Sequence, residues 1–293
     1  MSEAKFEPKF KGWTKPGPRI DSVPELEEGE TLDALAGNYR IYQYADGHRF
    51  STDDILVAWF ATAHAVRAER VLDLGSGIGS VAMTAAWRLP FAKFVTVEAQ
   101  ERSIRLARKS VRFNRLEDRF DLRLGDFRDS GVTGAAAPLA DDEKFDVVMG
   151  SPPYFPLTDG VLSDHPQKVE CRFEARGDVR DYCARAARHL APGGMFFVVF
   201  PKNQEARLIE GVERAGLALL RSRAVVFREG EPPLLSLYQM GARDDFPPKL
   251  FEKLKGANEV NLGWEEPPLV IRRKDGEVHP EYAVVKLAIG FPP

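Results

Sequence analysis

The stretch VLDLGSGIG at residues 71–79 joins an apolar strand, an acid and three glycines at alternate positions. Glycine is needed where the backbone turns tightly, and where a ligand must approach the main chain without a Cβ atom in the way. A helix that begins near Gly79 offers free backbone N–H groups to such a ligand. The stretch therefore predicts a strand, a ligand-binding glycine loop and a helix, in that order.

Apolar strands alternate with amphipathic helices on both sides of this loop. The pattern predicts strands at residues 71–74, 94–97, 120–124, 145–149 and 195–200. It predicts helices at residues 55–66, 80–89, 101–114 and 178–190, the first capped by Thr52-Asp53-Asp54 and the last stopped by Pro192-Gly193-Gly194. Such spacing is typical of βαβ units and a mostly parallel sheet. The carboxyl ends of the strands then share one edge, where ligands bind.

The two ends of the chain depart from this pattern. Residues 217–227 and 234–240 predict an antiparallel strand pair that closes one side of the sheet. A short strand at 269–272 and a helix or strand at 282–289 are expected to follow. We expect residues 1–45 to form a Pro-rich basic arm and residues 46–293 to form one domain.

Composition and charge exclude several classes of protein. The 293 residues are 44% hydrophobic and 29% charged with a net charge of −3, which is ordinary for a globular protein. No apolar stretch reaches the ~18 residues of a membrane span, and the N-terminus has no signal-peptide core. Cys171 and Cys183 are too few for a disulfide framework and have no metal-ligand spacing. We therefore expect a cytoplasmic monomer with free thiols, no metal and no membrane contact.

Basic residues are concentrated in two segments despite the negative net charge. Nine Lys and Arg residues lie between Arg102 and Arg128, and five more lie in the first 19 residues. Such runs are most often a solvated helix face and a loose tail. The alternative is a basic patch that binds nucleic acid.

Three segments at the predicted sheet edge resemble the class I S-adenosylmethionine-dependent methyltransferases. The G-x-G-x-G spacing after Asp73 resembles their first motif and differs from the G-x-G-x-x-G of dinucleotide-binding proteins. Glu98, at the end of the second strand, is placed to accept the ribose hydroxyls of a nucleoside. The resemblance implies that Asp126 binds the adenine amino group and that Phe127 packs against its ring. It thus implies an S-adenosylmethionine site made of Asp73, Gly75, Gly77, Gly79, Glu98, Asp126 and Phe127.

The stretch GSPPYFP at residues 150–156 follows the fourth predicted strand at the same edge. Its two prolines end the strand, because proline has no N–H to donate and restricts the residue before it. The stretch resembles the [Asn/Asp/Ser]-Pro-Pro-[aromatic] motif of amino-group methyltransferases. There a side-chain oxygen and a carbonyl, here of Ser151 and Pro152, accept the two N–H groups of an exocyclic amine and localise its lone pair. Tyr154 would stack on the flipped-out base, and Ser151 would also border the cofactor.

The order of motifs along the chain resembles the bacterial tRNA-valine adenine-N6 methyltransferases. The matching segments are GHRFSTDDILVAWF at 47–60, the glycine loop, Glu98, Asp126, SPPYF at 151–155 and LVIRRKDGEVHPEY at 269–282. The resemblance implies an α/β, Rossmann-like class I methyltransferase fold with a mostly parallel seven-stranded sheet. It also implies S-adenosylmethionine as cofactor and an exocyclic amine, adenine N6 in tRNA, as target.

Ser151 departs from that family, which has Asn at this position. A serine oxygen lies about one bond nearer the backbone, and a hydroxyl donates as well as accepts hydrogen bonds. Serine here is typical of cytosine-N4 DNA methyltransferases, so the target base stays open. RNA is favoured over DNA because no segment is large enough for a DNA target-recognition domain.

Other contacts and other functions are also open at this point. Phe155 and Arg172 are candidate RNA contacts, Arg172 in a polar loop at 156–177 that is otherwise a plain surface loop. One alternative function is a protein glutamine-N5 methyltransferase, which binds a side-chain amide in the same way. Another is a catalytically silent protein that binds S-adenosylmethionine and RNA. A nicotinamide dehydrogenase is least favoured, because of the glycine spacing.

Overall fold

The computed structural model describes residues 9–10, 13–17, 19–129, 137–154, 177–247 and 263–293. Its strands are β1 (Lys9–Phe10), β2 (Trp13–Thr14), β3 (Glu30–Ala36), β4 (Tyr39–Tyr44), β5 (Arg70–Leu74), β6 (Lys93–Glu98), β7 (Phe120–Leu124), β8 (Phe145–Gly150), β9 (Leu190–Pro201), β10 (Leu217–Arg228), β11 (Leu235–Ala242) and β12 (Trp264–Arg272). Its helices are α1 (Thr52–His64), α2 (Ser80–Arg88), α3 (Glu101–Phe113), α4 (Val179–His189), α5 (Glu205–Arg214) and α6 (Pro280–Ala288). None of these described helices combines the length and apolar character that a membrane crossing needs.

The central sheet has the strand order β12-β10-β11-β9-β8-β5-β6-β7. Strands β5 to β9 pair in parallel, whereas β11 is antiparallel to both β9 and β10. This confirms the mostly parallel α/β sheet and its antiparallel pair. The chain runs outward from β5 through β6 to β7 and then returns to place β8 on the other side of β5. The switch point of the sheet therefore lies between β5 and β8, which is where ligands bind in such folds.

The sheet has eight strands in the described part of the chain, whereas the family resemblance implied seven. The additional strand is β12, which lies at the edge and pairs in parallel with β10. The sequence showed only its second half, because Pro267 and Pro268 interrupt the strand pattern. Prolines are tolerated there because an edge strand has one side without a ladder partner.

Residues 30–44 differ from the extended arm predicted over residues 1–45. They form the β3–β4 hairpin, whose Leu35, Ile41 and Tyr42 are buried in one apolar cluster with residues of α2 and α3. The Tyr42 N–H donates to Ser110 Oγ on α3 at 2.9 Å. The hairpin is therefore packed onto the domain, and the boundary at residue 45 stays a prediction.

The start of β9 differs from prediction in a similar way. Pro192, Gly193 and Gly194 were expected to form a stop between helix and strand, but they lie inside β9, which begins at Leu190. The pairing with β8 shifts register between Phe145 and Val147. A bulge therefore accommodates the Pro-Gly-Gly segment. At the C-terminus, the segment that fitted either a helix or a strand is the helix α6, with Pro280 in its first turn.

Apolar side chains of the sheet pack on both of its faces. Val71 packs in a cluster with Phe60 of α1 and residues of α2. Its neighbour Leu72 points to the opposite face, in a cluster with Tyr182 of α4 and Leu208 of α5. This alternation along β5 buries both faces and leaves the strand ends to form the site.

Candidate active site at the switch point

A cavity of about 450 Å³ lies at the carboxyl ends of β5, β6, β7 and β8. This size suits a small organic ligand. The predicted site residues that line it are Gly75, Gly77, Glu98, Asp126, Phe127, Ser151, Pro152 and Tyr154. The structure thus brings the glycine loop and the Ser-Pro-Pro-Tyr corner to the same cavity. Phe155, Arg172 and all but the last residue of the loop at 156–177 lie outside the described residues.

The glycine loop has a backbone that side chains would disturb. Gly75 and Gly77 have φ angles of 61° and 56°, in the left-handed region that favours glycine. A Cβ atom on Gly75 would collide with the Tyr182 hydroxyl, whereas one on Gly77 would meet no protein atom within 4 Å. Because Gly77 lines the cavity, its missing side chain leaves room for a ligand against the main chain.

The Glu98 carboxylate is fixed at the end of β6 by backbone groups. Its Oε2 accepts a hydrogen bond from the Gly77 N–H at 2.8 Å, and its Oε1 accepts one from the Gln100 N–H at 2.7 Å. Each carboxylate oxygen has a second lone-pair direction. Glu98 is therefore oriented by the protein at the edge of the cavity that it lines.

Asp73 does not line the cavity, although the resemblance placed it in the cofactor site. It is 1% exposed, and its Oδ2 accepts a hydrogen bond from the Ala82 N–H in the first turn of α2 at 3.1 Å. Burial, followed by the negative charges of Asp54 and Glu98, raises the pKa of Asp73 well above its usual range. The Asp73 side chain, on β5, thus caps the N-terminus of α2. It supports the glycine loop from the side that faces away from the cavity.

Asp126 and Phe127 line the cavity just after the end of β7. The Asp126 carboxylate accepts hydrogen bonds from the Arg128 N–H at 2.9 Å and from the Arg128 guanidinium at 2.6 Å. The Phe127 ring packs edge-on against Tyr182, with ring centroids 4.7 Å apart. Both side chains have defined positions, and the carboxylate shares its oxygens with an arginine that sequence reasoning had not assigned to it.

Tyr154 is held from several directions rather than standing free. Its hydroxyl donates to Asp53 Oδ2 at 2.7 Å, and its carbonyl accepts from the Gln204 side chain at 2.9 Å. Its ring lies edge-on to Phe200 with centroids 6.1 Å apart. Burial and the neighbouring Asp53 carboxylate raise the pKa of Tyr154 well above its usual range. The phenol is therefore neutral, and its plane is fixed.

Two site residues, Asp53 and Asp54, were interpreted from the sequence only as helix caps. Both line the cavity, and Asp54 is 8% exposed. Asp54 Oδ2 accepts from Ser80 Oγ at 2.8 Å and from the Ser51 N–H at 3.4 Å. Burial, followed by the charge of Asp53, raises the pKa of Asp54 to about 7, and a hydrogen bond with the Ser151 side chain opposes that rise. The sequence signal for Asp53 and Asp54 is a pair of acidic residues at the start of an apolar helix. The same pair is equally typical of a helix cap, so it does not distinguish a site residue from a capping residue.

Several residues of the basic run between Arg102 and Arg128 are paired inside the molecule. Glu30 binds both Arg105 and Lys109, at 2.9 and 2.5 Å. Arg123 binds Glu143 at 2.7 Å, and Arg119 donates to the carbonyl of Ala92. These side chains hold the fold together. For them, these contacts favour a structural role over the alternative of an open basic patch.

Comparison with known proteins identifies the family. Residues 50–215 match the model of the methyltransferase small domain, which spans every described element from α1 to α5. The chain belongs to this family. It is an S-adenosylmethionine-dependent methyltransferase.

Individual relatives agree with this assignment. The protein is 26% identical over 225 residues to the tRNA1(Val) (adenine(37)-N6)-methyltransferase of Dyadobacter fermentans, a match that covers 77% of this chain and 82% of that one. It is 30% identical over 193 residues to the ribosomal protein uL3 glutamine methyltransferase of Bradyrhizobium diazoefficiens, covering 62% of this chain and 51% of that protein. The crystal structure of a predicted O-methyltransferase from Agrobacterium tumefaciens superimposes with a TM-score of 0.59 at 20% identity, covering 82% of this chain and 98% of that one. That structure shares the fold.

The remaining sequence predictions concern metals and thiols. Among the described residues, no group of three or more His, Cys, Asp or Glu side chains is arranged to hold a metal ion. Cys183 is buried as a free thiol whose pKa is raised to about 12 by burial. Cys171 lies outside the described residues.

Proposed function

We propose that this methyltransferase, acting in the cytoplasm, methylates an exocyclic amine of a nucleic-acid base, and that its target is adenine N6 in a tRNA. The observation that carries the proposal is that Gly77 and Glu98 line the same cavity as Ser151, Pro152 and Tyr154. A site for a nucleoside cofactor and a corner suited to an amine therefore open onto one space. Relatives named tRNA1(Val) (adenine(37)-N6)-methyltransferase in several bacteria support the choice of adenine and tRNA.

The first half of the cavity fits S-adenosylmethionine. Glu98, which two backbone N–H groups hold in place at the end of β6, would accept the ribose hydroxyls. Asp126 would accept the adenine amino group beside Phe127, and the open space at Gly77 would receive the ligand close to the main chain. The bound cofactor supplies an activated methyl group: an N–C bond forms as its C–S bond breaks, and the methylated nitrogen loses one proton.

The second half of the cavity fits an exocyclic amine. Such an amine is a weak nucleophile because its lone pair is delocalised into the base. The Pro152 carbonyl and the Ser151 oxygen would accept its two N–H groups, and Tyr154 would support the base by stacking, worth about 1–3 kcal/mol. The hydrogen bond from Tyr154 to Asp53 holds that ring in place before the substrate arrives. The rate would come from positioning and electrostatics, without a covalent enzyme intermediate.

The test is nucleoside mass spectrometry of bulk tRNA incubated with the purified protein and S-adenosylmethionine. We expect N6-methyladenosine to appear. Tyr154→Ala is expected to lose at least 10-fold in transfer to tRNA while its affinity for S-adenosylmethionine, measured by calorimetry, stays near that of the wild type. N4-methylcytidine as the product would replace adenine with cytosine as the target. Turnover of Tyr154→Ala at the wild-type rate would contradict the stacking role.

A second candidate is a protein glutamine-N5 methyltransferase. The 30% identity to the uL3 glutamine methyltransferase favours it, and a side-chain amide presents the same two N–H groups as an exocyclic amine. Incubation with labelled cofactor and either bulk tRNA, a ribosomal protein fraction or release factor separates the two functions. Label in protein and none in tRNA would establish the second candidate and exclude the first.

A further inference from the structure

Resting on the proposed function, we propose that Asp54 is a positioning residue that makes Ser151 a hydrogen-bond acceptor for the target amine. In this arrangement Ser151 Oγ faces the amine, and its hydroxyl proton is held by the Asp54 carboxylate. The same path removes the proton that the amine loses on methylation. Serine is shorter than asparagine, and its hydroxyl donates as well as accepts hydrogen bonds, whereas an amide oxygen only accepts. Asp54 compensates for this difference by taking up the hydroxyl proton.

The structure places Asp54 and Ser151 in the wall of one cavity at the switch point. Asp54 lies in the first turn of α1, and Ser151 follows β8. Both side chains line the cavity, and Ser151 acts on the Asp54 carboxyl as a hydrogen-bonding neighbour that lowers its pKa. Ser80 Oγ, at 2.8 Å, and the Ser51 N–H, at 3.4 Å, both reach Oδ2 of Asp54. These donors hold the carboxyl group in place, so it cannot turn away from Ser151 without losing them.

The proposed hydrogen bond between Asp54 and Ser151 has one possible direction when Asp54 is ionised. An ionised carboxylate only accepts, so the Ser151 hydroxyl has to donate to it. The lone pairs of Ser151 Oγ are then available to the cavity, as those of an amide oxygen would be. A protonated Asp54 reverses this, because a carboxyl O–H donates to Ser151 Oγ and competes with the amine for its lone pairs.

Tyr154 is the other side chain that could receive the Ser151 proton, since Ser151 also acts on the pKa of its hydroxyl. The Tyr154 hydroxyl gives its own proton to Asp53 Oδ2 at 2.7 Å. It therefore offers Ser151 only a neutral phenol oxygen. A carboxylate accepts a hydrogen bond about twice as strongly as a neutral oxygen does, so Ser151 donates to Asp54.

The proton balance closes on the same groups. The nitrogen that gains the methyl group passes one proton to Ser151 Oγ, and Ser151 passes its own hydroxyl proton to Asp54. Asp54 ends neutral, Ser151 is unchanged, and the proton later leaves to solvent. The titratable groups that face Asp54 are Asp53 on the same helix, Asp73 on β5 and Tyr154 after β8. The negative charges among them favour proton uptake, in keeping with the pKa of Asp54 at about 7.

The first test is the pH dependence of single-turnover methylation of tRNA, followed by nucleoside mass spectrometry. The wild-type rate is expected to fall as the pH drops below about 7. Asp54→Asn is expected to be slower by roughly 10- to 100-fold at pH 8 and to lose this dependence. Asp275→Asn, a matched change at an exposed turn residue, is expected to keep the wild-type profile.

The second test is rescue by an amide at position 151. The double variant Asp54→Asn/Ser151→Asn is expected to recover activity, because an amide oxygen accepts the amine without a carboxylate behind it. The methylation rate of Ser151→Asn alone is expected to be independent of pH around pH 7. This variant keeps Asp54, so it tests the proposal even if Asp54→Asn fails to fold. A wild-type profile in Asp54→Asn, or no rescue by Ser151→Asn, overturns the proposal.

A third readout is independent of activity. In a ¹³C spectrum of the protein labelled at aspartate carboxyls, we expect one signal that titrates near pH 7, is missing in Asp54→Asn and shifts in Ser151→Ala. If the wild type methylates no base but this titration is present, the proposed function fails while the Asp54–Ser151 coupling stands. If Ser151→Ala leaves the signal unmoved, the coupling fails whatever the substrate.

Discussion

Glu98 and Asp54 show, at the scale of single residues, how the nearest groups decide what a buried carboxyl can do. Glu98 receives two backbone N–H groups, at 2.8 and 2.7 Å. Asp54 receives one hydroxyl at 2.8 Å and a longer backbone contact at 3.4 Å, and it stands beside the negative Asp53. Backbone donors favour the charged form, whereas burial and a like charge oppose it. The two backbone contacts fix the orientation of the Glu98 carboxylate, whereas burial and the charge of Asp53 raise the pKa of Asp54 to about 7 and suit it to proton uptake near neutral pH.

Asp54 is expected to reduce stability at high pH. Its pKa is raised from 3.8 to about 7 on folding, so the protonated group stabilises the fold at low pH and that contribution is lost as the pH rises toward 7. Asp54→Asn has no such loss. Its free energy of unfolding relative to wild type is expected to grow by roughly 1–3 kcal/mol between pH 5 and pH 8.5.

Urea unfolding of the wild type and Asp54→Asn at both pH values measures this difference. The Asp275→Asn variant is the control, because its carboxyl is exposed. An equal gain for Asp54→Asn at pH 5 and pH 8.5 would contradict the raised pKa. Asp54→Asn is also expected to lose methylation activity. If the same variant gains stability at pH 8.5, Asp54 serves the reaction at a cost in stability.

Helix α2 shows how neighbouring elements complete one another at the element scale. Gly79, its N-cap, has a φ of 86° and no side chain to satisfy the first N–H groups. Asp73 on β5 supplies that acceptor at 3.1 Å, and Ser80 in the first turn binds Asp54 of α1. One strand and two helices are thus tied together behind the glycine loop. A cofactor bound there would rest on a support made by three elements.

Asp73 variants test this support. Asp73→Ala leaves the Ala82 N–H without its acceptor and is expected to cost about 0.5–2 kcal/mol of stability. Hydrogen exchange of the amides at the start of α2 is expected to speed up, and affinity for S-adenosylmethionine to fall. Asp73→Asn keeps an oxygen acceptor and is expected to protect those amides as the wild type does. Fast exchange in Asp73→Asn as well would show that an oxygen acceptor at position 73 is not sufficient to hold α2.

The N-terminal hairpin and helix α3 are joined by an ion-pair network at the scale of the whole molecule. The Glu30 side chain is fully buried and binds Arg105 and Lys109, while Glu27 binds the same two cations at 2.5 and 3.1 Å. Arg105 also donates to the Tyr44 hydroxyl at 2.7 Å. Basic residues that suggested a nucleic-acid surface therefore fasten residues 27–44 to the domain.

Lys109 distinguishes these two roles. Lys109→Gln is expected to lower the free energy of unfolding by about 1–3 kcal/mol, because it removes charged hydrogen bonds to Glu27 and Glu30. The salt dependence of tRNA binding, measured by filter binding between 50 and 200 mM salt, is expected to stay as in the wild type. A slope smaller by about one would mean that Lys109 contacts a phosphate. Arg102→Gln, at an exposed position of the same helix, is the matched control.

Much of the fold and part of the site could be predicted from local pattern. Alternating strands and helices indicated a parallel sheet, and a parallel sheet brings the residues after β5 and β8 to one edge. This is why Gly77 and Ser151 line one cavity, as expected. The hairpin at residues 30–44 and the first half of β12 were missed, because a short alternating segment and a strand with two prolines resemble irregular chain.

The amino-acid sequence by itself determined the order of strands and helices, the glycine loop and the proline corner, since periodicity and backbone restriction act between near neighbours. Only the tertiary structure decided that Asp54 and Ser151 line one cavity and that Glu30 pairs with Arg105 and Lys109 of α3. Those contacts join residues far apart in the chain, and they depend on how α1 and the hairpin pack on the sheet. Such long-range contacts produce no periodic pattern of apolar and polar residues in the sequence. At each of these positions another small polar or acidic residue would fit the helix or strand pattern equally well.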